Sequence, residues 1–128
     1  MALDFGAART GVAVSDPTGV VARPLGVVER AAREAGIAEL VRLVHEQEVE
    51  TVVVGHPLTL RGERGEQAKA TERFAAALRA AVDVPVVLFD ERFTTDLAEQ
   101  SASSVPEDAR AAAHLLSSYL EWSASSRR

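Results

Sequence analysis

The stretch Leu3-Asp-Phe-Gly-Ala-Ala-Arg-Thr-Gly-Val-Ala-Val-Ser-Asp-Pro17 carries most of the information about the fold. Ala2 to Phe5 opens as an apolar run, Gly6 to Thr10 supplies a turn, and Gly11 to Ser15 returns as a second apolar strand. Asp16-Pro17-Thr18-Gly19 then signals another turn, because proline presets φ and glycine tolerates the left-handed region. A third strand lies between Val20 and Glu29. Pro24 interrupts it, and a proline without an N–H for the ladder predicts an edge strand or a bend. Links this short leave no room for a crossover, so the three strands form an antiparallel meander.

The remainder alternates between helix and strand patterns. Ile37, Leu40, Val41 and Val44 fall on one stripe of a helix from about Ala31 to Glu48. Thr51-Val-Val-Val-Gly55 reads as a short buried strand. Phe74, Ala77, Leu78 and Ala81 repeat the helical spacing, and Val84 to Phe89 is the next buried strand. A helix-length link between those two strands favours parallel pairing through a right-handed crossover. Ala112, Leu115, Leu116 and Tyr119 mark a final helix. The expected architecture is α/β, a five-stranded mixed sheet flanked by helices, which is the order of the RNase H-like fold. One domain over residues 1–122 accounts for it, with a polar tail at 123–128 that frays.

Composition narrows the function classes. Hydrophobic residues make up 47% of the chain, enough for a core, so whole-chain disorder is excluded. No run approaches the ~20 apolar residues of a membrane span, and the N-terminus lacks a signal-peptide pattern, so a cytoplasmic protein without membrane association is expected. With no cysteine and three scattered histidines, disulfides, thiolate zinc sites and cysteine nucleophiles are excluded. The net charge of −5 opposes non-specific nucleic-acid binding, which draws on basic surface. Two facts offset it. Lys69 is the only lysine, so the positive charge is arginine, suited to bidentate phosphate contacts. A metal-dependent nuclease also needs carboxylates that bound cations neutralise.

Three places concentrate acids at the ends of elements. Asp4 sits inside the first apolar segment, where desolvating a carboxylate costs several kcal/mol unless it is paired or bound to metal. Asp90 and Glu91 follow directly on the strand ending at Phe89, and ligands of α/β sheets collect at the carboxyl ends of strands. Ser104-Val-Pro-Glu107 has the form of a capping box, so the final helix starts there and Asp108 faces the sheet from its first turn. Carboxylates converging on one rim suit Mg2+ or Mn2+, hard cations that activate water for in-line displacement at phosphorus. Taken singly, Asp4 also reads as a turn-initiating acid and Asp90-Glu91 as a polar strand end. Asp108 alone reads best as a charge complementing the helix dipole, worth ~0.3–1 kcal/mol.

Four blocks carry a resemblance. LDFGAARTGVAVSDP (Leu3 to Pro17), VVVGHPLTLRGERGEQA (Val52 to Ala68), FDERFTT (Phe89 to Thr95) and DARAAAHLLSSYL (Asp108 to Leu120) are similar, in order and register, to the signature blocks of the YqgF family, also called RuvX. Its members are described as RNase H-like nucleases, either Holliday-junction resolvases or pre-16S rRNA nucleases. The resemblance implies that Asp4, Glu91 and Asp108 form the metal-binding catalytic set, and that Arg9, Arg92, Thr94 and Thr95 contact substrate. The chain departs from the family at His56 (usually leucine), near Thr59 (usually asparagine), in a shorter first strand, and between Thr95 and Asp108. That last segment is shorter and lacks the family's lysines and arginines.

The resemblance favours a nuclease that trims precursor ribosomal RNA. A resolvase of four-way DNA junctions, working as a symmetric homodimer rather than a monomer, keeps the same chemistry. A non-catalytic binding module fits the acidic charge. An actin-type nucleotide binder fits Asp4-Phe-Gly6 followed by Gly11, but such proteins clamp nucleotide between two domains. His45, His56 and His114 are not expected to be ligands. Arg61, Arg64, Arg73 and Arg79 form either a solvated face or a phosphate-contacting one, and Trp122 packs at the end of the last helix.

Overall fold

A computed structural model describes residues 1–94 and 105–126. The strands are β1 (Ala2–Asp4), β2 (Arg9–Ser15), β3 (Ala22–Glu29), β4 (Val52–His56) and β5 (Val86–Asp90). The helices are α1 (Glu34–Glu46), α2 (Glu66–Ala81) and α3 (Glu107–Ser126), and a 3-10 turn (Glu91–Phe93) follows β5. The strands lie side by side in the order β3-β2-β1-β4-β5. Pairing is antiparallel for β1–β2 and β2–β3, and parallel for β1–β4 and β4–β5. The expected mixed sheet is therefore found, meander first and crossovers second.

Period-two alternation sorts the strand side chains onto two faces. Leu3, Val12, Val14, Val52 and Val54 join Leu40 and Val44 of α1 and Phe74 and Leu78 of α2 in one cluster. Ala2, Ala13 and Val53 join Ala112, Leu115 and Leu116 of α3 in the other. The α3 face carries the smaller residues, so this helix settles close to the sheet. At Gly11 the approach is closest: a Cβ there would overlap the backbone carbonyl of Asp108.

Pro24 acts as its chemistry requires. It sits on edge strand β3, where the register slips between Val12↔Gly26 and Ala13↔Pro24, so that Leu25 bulges out. β3 begins at Ala22 because the Asp16 carboxylate accepts the Val20 and Val21 N–H groups at 3.0 Å each, drawing both residues into the turn. α1 holds its whole hydrophobic stripe but is shorter than the expected Ala31 to Glu48: Arg33 is extended before its first residue, and Glu48, at φ +52°, leaves the helical region after it. α3 continues to Ser126, so the polar tail is helical over its first four residues. Ser104, the expected cap of this helix, and Thr95 lie outside the described residues.

Candidate active site

Topology brings the acids together. β1 and β5 flank β4 and run parallel to it, so Asp4 and the residue after Asp90 leave the sheet at the same edge. Glu91 reaches across the end of β4 and hydrogen-bonds the Asp4 carboxyl. The crossing depends on Gly55, one residue beyond the Leu3↔Val54 pair, because a Cβ there would stand 2.5 Å from Glu91 Oε1. On the other side of β1, Asp4 pairs with Gly11, on which the first turn of α3 rests with Asp108. Two glycines thus flank Asp4, each making room for an acid from a distant part of the chain. An isolated glycine within a strand pattern was the available signal for both.

The electrostatics follow from this crowding. Burial raises the Asp4 carboxyl above its ordinary range, and the charge of Asp108 adds to the rise, while the hydrogen bond to Glu91 opposes it. Burial is also the main cause for Glu91, followed by the Asp4 charge and hydrogen bond, and together they push it up to about 7. Both carboxyls are raised, chiefly by burial, so the pair holds a proton more readily than either acid would in open solvent. His56, at the end of β4, counters part of the rise with its charge.

Asp108 is held differently. Its carboxylate accepts from Arg9 Nη2 at 2.5 Å, in an ion pair that straps the first turn of α3 to the start of β2. Among the described residues, no three His, Cys, Asp or Glu side chains stand close enough together to enclose an ion as they are placed. Asp4 and Glu91 meet, and Asp108 adds its field while bound to arginine.

The neighbouring polar residues divide sharply between Asp90 and Glu91. Asp90 faces away from the pair: it accepts from the Arg92 backbone at 2.9 Å and from the Arg92 guanidinium at 2.6 Å, which holds its carboxyl below the usual range. Arg92 also reaches Leu60 O at 3.4 Å and lies against Gly62, so it ties the loop after β4 to β5. Thr94 Oγ1 is buried with no hydrogen-bond partner among the described residues. His56 Nε2 lies 2.7 Å from Glu72 Oε2, and Arg64 clamps the same carboxylate from the loop. Arg64 and Arg79, the latter bonded to Val86 O at 2.8 Å, are therefore structural ties. Trp122 packs on Phe89 and Tyr119, as its position at the helix end led us to expect.

A family model described as RuvX, Holliday junction resolvase, matches residues 1–122. The chain belongs to the RuvX family. Curated relatives of this RuvX chain carry the name "Putative pre-16S rRNA nuclease". One from Chloroflexus aurantiacus is 51% identical over 100 residues, covering 78% of this chain and 65% of that protein. One from an Anaeromyxobacter species is 42% identical over 130 residues, covering 94% and 95%. The chain thus spans just under two thirds of the first protein's length and nearly all of the second's. Among solved structures, the RuvC of Thermus thermophilus in complex with a Holliday junction substrate superposes with a TM-score of 0.61 at 18% identity, covering 95% of this chain and 92% of that one. The match shows that the RuvX chain has the RNase H-like fold of RuvC.

Proposed function

We propose that this protein is a divalent-metal-dependent endonuclease that hydrolyses phosphodiester bonds, acting in the cytoplasm on the 5′ end of pre-16S rRNA. The observation that carries the proposal is the Asp4–Glu91 carboxyl pair at the carboxyl edge of the sheet, with Asp108 close enough to raise Asp4 further. The names borne by its relatives supply the RNA.

The donor set suits magnesium or manganese. Hard carboxylate oxygens are what these ions prefer, and two half-buried acids of like charge gain from a cation between them. Asp4 and Glu91 are the pair that would hold the metal, with Asp108 joining them once released from Arg9. Bound there, it would polarise the scissile phosphate and lower the pKa of an attacking water. The chain itself does the rest. Gly55 and Gly11 set the spacing of the acids, Arg92 fixes the loop beside Glu91 through Asp90, and the His56–Glu72–Arg64 cluster supports the end of β4. Glu91 must lose its proton before both acids of the pair carry charge, so a bound cation competes with that proton.

A precursor 16S leader RNA and a four-way DNA junction, each incubated with wild type and with Asp4→Asn in Mg2+ or Mn2+, test the proposal. RNA cleavage that vanishes in the variant is expected. The description of the family model favours one second reading, a junction resolvase, and cutting of the DNA junction alone would establish it. Failure of the folded wild type to cut either substrate would leave a binding module.

A further inference from the structure

A cavity of about 440 Å3 lies at the edge of the sheet where β1 and β3 end, lined by Phe5, Ala7, Ala8, Arg30, Ala32 and Arg33. Its volume falls within the roughly 300–1,000 Å3 of small-ligand sites. Phe5, Ala7 and Ala8 belong to the loop that begins directly after Asp4, and Arg30 N donates to Ala8 O at 2.9 Å to close that loop against the turn before α1. The cavity therefore opens on the rim that carries the carboxylates. One wall is apolar: the Phe5 ring, itself stacked on Phe74 at 4.4 Å between centroids, and three alanine methyls. Its charged groups are the two arginines.

Neither arginine is committed to a partner among the described residues. Arg9, Arg42, Arg64 and Arg92 each hold a carboxylate, and Arg79 holds a carbonyl. Arg30 and Arg33 are exposed, and neither guanidinium has an ion pair or hydrogen bond among the described residues. Arg30 also occupies the left-handed region at φ +48°, where a side chain costs about 1–3 kcal/mol and glycine is relaxed. An arginine kept where glycine fits better is a cost to folding that binding can offset.

We propose that this cavity is a subsite for one nucleotide of the RNA strand flanking the cleaved bond, with its phosphate on Arg30 and Arg33 and its sugar and base against Phe5 and the alanines. The assignment rests on the nuclease reading of the acid pair. It also answers an electrostatic problem: a rim with three carboxylates repels phosphate, and two guanidinium groups at the same edge of the sheet counter that repulsion.

Asp4→Asn protein should bind without cutting, so affinity for a labelled single-stranded RNA can be read by fluorescence anisotropy across a salt series. Adding Arg30→Gln and Arg33→Gln should weaken binding about tenfold or more, the scale of losing hydrogen bonds to a charged group. The slope of log affinity against log salt should become shallower by ~0.7, the increment for one phosphate on a single strand. A charge-matched Arg23→Gln/Arg42→Gln control should leave the slope unchanged. Arg30→Gly separates binding from folding: its melting temperature should equal or exceed that of the parent while its affinity falls. Affinity and slope unmoved by the Arg30/Arg33 pair, a loss matched by the control, or weakening on a DNA strand but not on RNA would each overturn the subsite. Cleavage by wild type is scored separately. An active nuclease with an unmoved slope sinks the subsite alone, whereas an inactive wild type whose Asp4→Asn form still binds through Arg30 and Arg33 sinks only the nuclease.

Discussion

Glu91 shows how a single carboxyl couples folding, metal and pH. In the unfolded chain it titrates near 4.5, and in the fold near 7, so the native state binds more protons between those values. The stability this proton provides is complete below about 4.5 and is lost as pH rises to about 7. Glu91→Gln removes that titration. Its melting temperature in metal-free buffer should exceed that of wild type at pH 8, with the gap closing towards pH 4.5, and a gap of constant size would contradict the shift. Mn2+ should raise the melting temperature of wild type at pH 8 and not that of the variant. Arg9 acts on the third acid. Because its guanidinium occupies the Asp108 carboxylate, Arg9→Gln should tighten Mn2+ binding several-fold by calorimetry, and weaker binding would show that Arg9 instead holds Asp108 in a ligating position.

Elements position these side chains, and glycines limit how closely the elements approach. Gly55→Ala places a methyl against the Glu91 carboxyl. It should lower the cleavage rate by about 100-fold, the scale expected when a catalytic group moves by an ångström. Circular dichroism of Gly55→Ala should remain that of wild type. Helix α3 holds Asp108 at one end and packs Trp122, the only tryptophan, on Phe89 at the other. Leu116, 2% exposed in the α3 face of the core, should cost about 2–5 kcal/mol when changed to alanine. Urea unfolding followed by Trp122 fluorescence reads that loss directly, and a change well under 1 kcal/mol would mean that α3 is not docked as described. The strands were legible from local pattern because apolar alternation, turn chemistry and Pro24 all act over a few residues. Helix limits were less so: α1 starts late because Arg33 is extended, which no stripe of apolar residues reports.

At the scale of the molecule the net charge of −5 limits how nucleic acid binds. Four of the thirteen arginines hold carboxylates, and acids outnumber the basic residues overall, so phosphate meets a surface that mostly repels it. The salt dependence of RNA binding should therefore be shallow, with a slope of about −2 rather than the steep dependence of proteins making 6–10 phosphate contacts. Anisotropy between 50 and 200 mM salt measures it, and a slope near −6 would contradict the limit set by the acidic balance.

The sequence by itself determined the antiparallel meander, the parallel pairing of β4 with β5, an edge or a bend at Pro24, and the candidacy of Asp4, Glu91 and Asp108. Each depends on chemistry confined to a short window or on a motif preserved in order along the chain. Only the tertiary structure decided which acids meet. Asp90 and Glu91 are equal as neighbours in sequence, yet one turns to Arg92 and the other crosses Gly55 to Asp4. The same is true of Arg9 on Asp108 and of the free pair Arg30 and Arg33, since partners far apart in the chain are chosen by the packing of strands and helices. The charge of a side chain is local, but its partner, and hence its proton affinity and its availability to a ligand, is set by what the fold brings beside it.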